Sequence, residues 1–209
     1  HPFQQKAIDA IRRGSSVLVA APTGAGKTLV ADFAIERALA EGKRIFYTAP
    51  VKALSNQKFR DFRAILGDEK VGIMTGDVTI NAGAPLLIMT TEVFRNTIFE
   101  DPRNLDDGHA VIFDEIHYLD DKERGTVWEE SIIFAPEHVR IVGLSATIPN
   151  IEEFAEWIRE VRHTPVEVVV RETRPVPLRH FVFHGEMGVK TLREIRDVGG
   201  RRRGGGNFQ

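Results

Sequence analysis

A glycine-rich segment at residues 21–28, APTGAGKT, has the residue types of a phosphate-binding loop. It ends as the pattern G-x-x-x-x-G-K-[ST] does, although Ala21 stands at the first glycine. The lysine, Lys27, can reach the β- and γ-phosphates of a nucleoside triphosphate, and the hydroxyl of Thr28 can bind Mg²⁺. The predicted nucleotide-binding residues of the loop are Thr23, Gly24, Ala25, Gly26, Lys27 and Thr28. The segment therefore predicts a site for a nucleoside triphosphate with Mg²⁺.

Two other interpretations of this glycine-rich segment can be weighed from the sequence. A dinucleotide loop of the pattern G-x-G-x-x-G is excluded because Leu29 occupies the third glycine position. The other interpretation is a glycine-rich strand-to-helix turn that serves packing alone. The apolar run Val17–Ala20 before the segment and the helical pattern after it supply the strand, loop and helix that a phosphate loop requires.

A pair of acids, Asp114 and Glu115, directly follows the apolar run at residues 110–113. Such a strand delivers its last residues to the sheet edge where ligands of open α/β folds bind. Asp114 is then placed to hold Mg²⁺, usually through water, and Glu115 to orient and deprotonate the attacking water. Two acids can also simply begin a helix, but the upstream phosphate loop favours catalysis. We predict Lys27, Asp114 and Glu115 as catalytic residues, with Thr28 and Asp114 as the metal ligands.

The chain alternates short β-branched apolar runs with segments of helical period from residue 17 to residue 170. This alternation predicts an α/β fold with a mostly parallel central sheet and helices on both faces. The predicted strands are Val17–Ala20, Ile45–Thr48, Val71–Met74, Leu86–Met89, Val111–Asp114, Ile141–Leu144 and Val166–Val170. The predicted helices are Gln4–Arg12, Lys27–Ala40, Ala53–Ile65, Glu92–Phe99, Val127–Phe134 and Ile151–Arg159. Asn150 and Glu153 form a capping pair for the last helix in this prediction. One further strand is expected at Leu178–Phe183.

Composition limits the class of protein. The 209 residues include no cysteine, which excludes a disulfide scaffold or a thiolate metal site and suits a reducing compartment. No apolar run approaches the roughly 20 residues that span a bilayer, so we expect a soluble, cytoplasmic protein without membrane association. A net charge of −2 shows no overall basic field. The basic run Arg201–Arg203 lies among glycines and is either a flexible segment or a local nucleic-acid contact.

Three segments together resemble motifs I, II and III of superfamily 2 helicases: Ala21–Thr28 (APTGAGKT), Asp114–His117 (DEIH) and Ser145–Thr147 (SAT). Motif I of this superfamily commonly begins with alanine, which accounts for Ala21. The resemblance implies that His117, Ser145 and Thr147 couple the nucleotide site to the nucleic-acid site. It also extends to Phe3 and Gln4, which resemble the adenine-recognition element of the family.

Further segments resemble the superkiller and exosome-cofactor group of DExH RNA helicases. They include residues 50–58, residues 74–81 and residues 144–150, and the similarity runs from residue 2 to about residue 183. This resemblance implies a first RecA-like domain with ATP at one edge and single-stranded nucleic acid across the top. The residues that would line the nucleic acid are Pro50, Lys52, Asn56, Gly76, Asp77, Thr90 and Thr91.

The resemblance also implies a domain organisation and an activity. Residues 1–172 would form the RecA-like domain, and residues 173–209 an exit strand and a Gly/Arg-rich linker toward a second RecA-like domain outside this sequence. The expected activity is ATP-dependent 3′-to-5′ translocation on RNA with duplex unwinding, and an RNA-degradation complex is the expected partner. The domain alone would be nearly inactive, because the second domain supplies arginine fingers worth roughly 10³ to 10⁵ in rate. A DNA repair helicase and a nucleotide-switched nucleic-acid-binding module are the alternatives.

Overall fold

The computed structural model describes residues 1–116, 125–146, 150–174, 176–177, 181–185, 188–191 and 193. Two of the expected coupling residues, His117 and Thr147, lie outside these described residues. The chain divides into two compact units, His1–Thr173 and Arg174–Gln209.

An eight-stranded sheet forms the centre of the first unit. Its strands are β1 (Ser16–Ala20), β2 (Arg44–Ala49), β3 (Val71–Met74), β4 (Thr79–Ile80), β5 (Leu86–Thr90), β6 (Gly108–Phe113), β7 (Arg140–Ser145) and β8 (Val166–Val170). They lie in the order β4-β3-β5-β2-β6-β7-β1-β8. All neighbouring strands pair in parallel except β3 and β4, which are antiparallel. The predicted mostly parallel sheet is confirmed.

Among the described residues, six α-helices cover both faces of this sheet: α1 (Pro2–Arg12), α2 (Thr28–Ala40), α3 (Lys52–Leu66), α4 (Thr91–Glu100), α5 (Gly125–Phe134) and α6 (Ile151–Arg162). A short 3₁₀ helix follows α4 at Pro102–Leu105. Alternate residues of each strand point to opposite faces. Val17 and Val19 of β1 therefore join one apolar core with α1, α2 and α3, while Leu18 and Ala20 join a second core with α4, α5 and α6.

Two local features differ from the sequence prediction. The strand β4 was not predicted, because its two exposed residues are too few to show a periodic pattern. The predicted capping pair at the start of α6 is wrong. The side chain of Asn150 makes no capping hydrogen bond, and only its backbone carbonyl accepts from the N–H of Phe154, at 3.1 Å. The same helix continues past Arg159 to Arg162 and ends where His163 adopts a left-handed conformation with φ of 50°.

The second unit contains an antiparallel pair of strands, β9 (Phe181–His184) and β10 (Gly188–Thr191). The predicted strand at Leu178–Phe183 overlaps β9, although residues 178–180 lie outside the described residues. The strand β10 was not predicted. In the described part of the chain, every helix is too short or too polar to cross a bilayer.

The parallel strands place chemically important residues at a single edge of the sheet. The carboxyl end of β1 leads into Ala21 and the phosphate loop, and that of β6 leads into Asp114. The neighbouring strand β7 ends at Ser145. The end of β2 is followed by Pro50, and β5 ends at Thr90. Ligands of open α/β sheets bind at this edge, so the fold gathers distant segments into one region.

Candidate functional site

The loop between β1 and α2 is shaped by two glycines. Gly24 and Gly26 have φ of 81° and 92°, values that glycine adopts without steric cost. A Cβ on Gly26 would also lie 2.7 Å from Nε2 of Gln4. Among the described residues, the backbone N–H groups of Gly26, Lys27 and Thr28 have no hydrogen-bond acceptor. These donors at the start of a helix fit an anionic ligand such as a phosphate group.

The first position of the loop, Ala21, is closely packed against the sheet. Ala21 is fully buried, and its N–H donates to the carbonyl of Ser145 on the adjacent strand β7 at 3.1 Å. Ala25 is also buried, whereas Thr23 is exposed at the edge of a cleft of about 410 Å³ that Glu115 also lines. The loop is thus anchored at Ala21 and open at Thr23.

Lys27 is held by the loop itself. Its Nζ donates to the carbonyl of Ala21 at 2.7 Å and to that of Pro22 at 3.4 Å. Burial lowers the pKa of Lys27, and the negative charges of Glu115 and Asp114 oppose this effect. A phosphate oxygen is a stronger, charged acceptor than these carbonyls. Lys27 is therefore positioned to replace its hydrogen bond to a loop carbonyl with a hydrogen bond to a phosphate oxygen.

Asp114 is a buried carboxylate with two internal donors. Its own N–H donates to the carbonyl of Thr48 at 3.0 Å, which fixes the backbone where β6 ends. Its Oδ2 accepts from the hydroxyl of Tyr47, and its Oδ1 accepts from the N–H of Glu115 at 3.0 Å. A carboxylate has about four lone-pair positions, so acceptor capacity remains for Mg²⁺ or its water ligands. The donor chemistry of Asp114 fits the expected metal.

Glu115 has a backbone conformation that is rare for its residue type. Its φ is 56°, in the left-handed region that few non-glycine residues occupy. Such conformations cost of order 1–3 kcal/mol and cluster at functional sites. The conformation turns the chain sharply after Asp114 and places the half-buried Glu115 in the wall of the 410 Å³ cleft. Two adjacent acids thereby face different surroundings.

Tyr47 is a site residue that the sequence analysis missed. It lies on β2, is 1% exposed, and contacts the predicted metal ligand Asp114 directly. Burial is the main cause of its raised pKa, and the charge of Asp114 adds to it. The sequence signal that could have identified it is a tyrosine in an otherwise apolar strand segment, because a buried tyrosine hydroxyl usually has a hydrogen-bond partner. Its partner is 67 residues away in the sequence.

The predicted adenine-recognition residues lie beside the phosphate loop. Nε2 of Gln4 donates to the carbonyl of Gly26 at 2.9 Å. The ring of Phe3 is mostly buried, with the guanidinium carbon of Arg171 at 5.3 Å from its centroid. Phe3 and Arg171 also line a cleft of about 590 Å³ together with Lys6. The structure therefore brings α1 and the loop after β8 to the nucleotide-binding edge.

Three of the seven predicted nucleic-acid residues form an exposed group. Lys52 at the start of α3 makes an ion pair with Asp77, and Gly76 precedes Asp77 in the loop between β3 and β4. Oγ1 of Thr75 donates to Asp77 at 3.1 Å. The hydrogen bond from Lys52, followed by that from Thr75, lowers the pKa of Asp77. The cation of Lys52 is thus oriented by a neighbouring carboxylate.

The other four predicted nucleic-acid residues are less accessible. Pro50, Thr90 and Thr91 are buried, and Asn56 is half-buried. Oγ1 of Thr90 accepts from the N–H of Val93 at 3.4 Å and caps α4. Oγ1 of Thr91 donates to the carbonyl of Ala49 at 3.4 Å. The Thr91 hydroxyl thus connects the start of α4 to the end of β2, whereas the Thr90 hydroxyl stabilises the first turn of α4.

Ser145 is the one expected coupling residue that the described residues include. Its Oγ is buried and has no hydrogen-bond partner among the residues that the structure describes. Its backbone carbonyl accepts a hydrogen bond from the N–H of Ala21. The described residues also contain no cluster of three or more metal-ligating side chains. A Mg²⁺ site that uses few protein ligands and substrate phosphates is consistent with this composition.

A phosphate loop after β1 and an acid pair after β6, on a parallel sheet covered on both faces, define a RecA-like P-loop nucleotide-binding domain. The sequence model of the DEAD/DEAH box helicase family matches residues 1–154. The chain belongs to this family.

Several named relatives are similar to this chain over most of its length. The chain is 50% identical over 181 residues to the DExH-box ATP-dependent RNA helicase DExH9 of Arabidopsis thaliana, covering 87% of this chain and 18% of that protein. It is 52% identical over 182 residues to the ATP-dependent RNA helicase mtr4 of Schizosaccharomyces pombe, covering 87% and 16%. It is 51% identical over 193 residues to Superkiller complex protein 2 of Homo sapiens, covering 92% and 15%. The chain therefore spans less than a fifth of the length of these relatives.

A solved structure supports the fold. The helicase MrfA bound to DNA and AMPPNP matches with a TM-score of 0.68 and 19% identity, over 95% of this chain and 31% of that chain. MrfA therefore shares the fold of this chain although the two sequences are only 19% identical. The predicted RecA-like fold and the resemblance to DExH helicases are confirmed.

Proposed function

We propose that residues 1–172 are the first RecA-like domain of an ATP-dependent RNA helicase that translocates 3′ to 5′ on single-stranded RNA and opens duplexes. The observation that carries the proposal is the level of identity, about half of all residues, to proteins named as RNA helicases over 87% of the chain. The neighbouring positions of Lys27, Asp114 and Glu115 at one sheet edge support the ATP-dependent chemistry.

Each residue of the nucleotide site has its own role in ATP hydrolysis. The N–H groups at the start of α2 and the ammonium of Lys27 bind the β- and γ-phosphates. Thr28 and Asp114 would hold Mg²⁺, which supplies positive charge against the phosphate oxygens when bound. Glu115 orients the attacking water and accepts its proton. Gln4 recognises the adenine edge and is held next to the loop by its bond to Gly26.

Nucleic-acid binding is local and independent of base sequence in this proposal. Lys52 supplies the cation, and the backbone around Gly76 and the polar groups near Asn56 add hydrogen bonds to the phosphates of a single strand. Thr90 and Thr91 are placed at the same edge, where their backbone can contribute. A local binding site of this kind needs no overall positive charge, so it is compatible with the net charge of −2.

Turnover requires more than this domain. We place a second RecA-like domain of the same parent protein after residues 173–209, where it would supply an arginine finger worth roughly 10³ to 10⁵ in rate. The isolated domain would then bind nucleotide and hydrolyse it very slowly. Identity to Superkiller complex protein 2 supports membership of a complex, which the family resemblance implies is an RNA-degradation complex. A cytoplasmic location fits a chain that contains no cysteine.

Strand displacement by the full-length protein tests this function. Matched RNA and DNA duplexes with single-stranded 3′ or 5′ tails are incubated with and without ATP. The proposal predicts ATP-dependent opening that requires a 3′ RNA tail. Opening only from a DNA tail would assign the protein to the repair helicases. ATP hydrolysis stimulated by nucleic acid without any opening would indicate a nucleotide-switched binding module.

A further inference from the structure

Tyr47 lies between the metal-binding carboxylate and the helix that carries Lys52. It pairs with Ile112 in the parallel register of β2 and β6. Ile112 and Asp114 are two residues apart and point to the same face of the sheet, so the Tyr47 side chain lies beside both. Its hydroxyl donates to Oδ2 of Asp114. The register of β2 and β6, together with the hydrogen bond from the N–H of Asp114 to the carbonyl of Thr48, sets this contact.

The ring of Tyr47 also contacts two side chains of α3. The ring of Phe62 meets it edge-on at a centroid distance of 5.6 Å. Nζ of Lys58 lies 5.6 Å from the centroid of the same ring, within cation–π range. Both residues belong to α3, the helix that begins at Lys52. A displacement of α3 would therefore press on Tyr47 directly.

The hydroxyl of Tyr47 is a permanent donor to Asp114. The phenol is almost fully buried, and its O–H is the donor in the contact with Oδ2 of Asp114. The second oxygen of Asp114 accepts from the N–H of Glu115 at 3.0 Å. Two donors on different oxygens restrict rotation of the carboxylate. Partners of this kind around a metal ligand commonly tune metal binding.

We propose that Tyr47 is a positioning residue for the Mg²⁺ that accompanies the nucleotide, holding the Asp114 carboxylate in one orientation and linking it to α3. The proposal rests on the proposed function for the identity of the nucleotide and the metal. It assigns a role to a group that the hydrolysis scheme does not otherwise use. The role is indirect, because Tyr47 acts through Asp114.

Mg²⁺-dependent nucleotide binding by the full-length Tyr47→Phe variant tests the proposal. A fluorescent ADP analogue is titrated with excess chelator and then across a range of Mg²⁺ concentrations. The expected result is unchanged affinity in chelator and a loss of about tenfold in Mg²⁺ affinity, the lower end of what losing a metal ligand's partner costs. The half-saturating Mg²⁺ concentration for ATP hydrolysis rises in parallel.

The matched control is Ser131→Ala, which removes another buried hydroxyl. Oγ of Ser131 donates to the carbonyl of Val127 within α5, away from the nucleotide site. Its Mg²⁺ dependence is expected to equal that of the wild type. A Tyr47→Phe variant with wild-type Mg²⁺ dependence would overturn the proposal. An equal loss of affinity with and without Mg²⁺ would also overturn it, since that result indicates a general packing defect.

Failure of the helicase proposal would be recognised separately. Absence of strand displacement and of RNA-stimulated hydrolysis in the wild type would remove the proposed function. The Mg²⁺ titrations of nucleotide binding require neither RNA nor turnover, so they continue to report on Tyr47 and Asp114.

Discussion

The side-chain amide of Gln4 donates to the backbone carbonyl of Gly26 at 2.9 Å, across 22 residues of sequence. This bond joins α1 to the phosphate loop. Gly26 has a positive φ, and a Cβ there would meet the same amide at 2.7 Å. The glycine thus serves both the loop conformation and the close approach of Gln4. The element expected to recognise the base is thereby attached to the element expected to bind the phosphates.

Replacement of Gln4 by alanine should reduce the preference for ATP over other nucleoside triphosphates. The amide contacts with the base would be lost, and a net hydrogen bond contributes about 0.5–1.5 kcal/mol, or a few-fold in selectivity for each contact. The ratio of kcat/KM for ATP to that for UTP measures the effect in the full-length protein. Gln5→Ala is the control, because Gln5 bonds to Asp9 at the exposed surface. Unaltered selectivity in Gln4→Ala would remove Gln4 from base recognition.

Replacement of Glu115 by glutamine should preserve ATP binding and abolish most hydrolysis. The amide keeps the size of the side chain but cannot accept the proton of the attacking water, and general base catalysis contributes about 10²- to 10⁴-fold. Single-turnover hydrolysis and equilibrium ATP binding are measured in the full-length protein. Glu129→Gln on the exposed surface of α5 is the control. A hydrolysis rate near that of the wild type would exclude the catalytic role.

Lys52 and Asp77 should have opposite effects on RNA affinity. Lys52→Ala removes one phosphate contact and should reduce the slope of log K against log salt by about 0.7. Asp77→Asn should strengthen binding at low salt, because the ion pair that holds Lys52 is lost. Filter binding of single-stranded RNA at several salt concentrations provides the measurement. Lys43→Ala, near the opposite end of β2, serves as the control. Equal slopes for Lys52→Ala and the control would contradict the assignment.

Arg162 is expected to be important for stability rather than for activity. Its side chain is buried, and its guanidinium donates to the carbonyls of Ile132, Ala135, Pro136 and Val139 at 2.8 to 2.9 Å. These carbonyls lie at the end of α5 and before β7. Burial lowers the pKa of Arg162.

Replacement of Arg162 by methionine should lower the free energy of unfolding by about 2–4 kcal/mol, because several buried carbonyls would lose their donor. Urea unfolding of the domain, followed by circular dichroism, measures the change. Arg60→Met at the exposed surface of α3 is expected to be close to neutral. A wild-type unfolding midpoint in Arg162→Met would show that water or neighbouring groups replace the donor.

Sequence patterns predicted the architecture well because they are local. Val71–Met74 and Val166–Val170 have the predicted bounds, and the strand before the acid pair was located within a few residues. The contacts of Tyr47 with Asp114 and of Arg162 with four carbonyls join distant segments. No spacing rule predicts such contacts without the register of the sheet and the packing of α5 against α6.

Local capping rules were less reliable than periodicity. The pattern at Asn150 and Glu153 has the residue types of a capping pair, yet the Asn150 side chain makes no capping bond. Its φ of −107° and ψ of 29° depart from the extended conformation that an N-cap residue usually adopts. Whether Asn150 caps the helix therefore depends on its backbone conformation, which the residue types alone do not predict.

The most direct test of the central claim is the rate of ATP hydrolysis by the full-length protein with single-stranded RNA, with single-stranded DNA of the same sequence and with no nucleic acid. An ATP-dependent RNA helicase built on this domain should hydrolyse ATP fastest with RNA, and Glu115→Gln should remove the stimulation. Equal rates under all three conditions, or stimulation by DNA alone, would contradict the account.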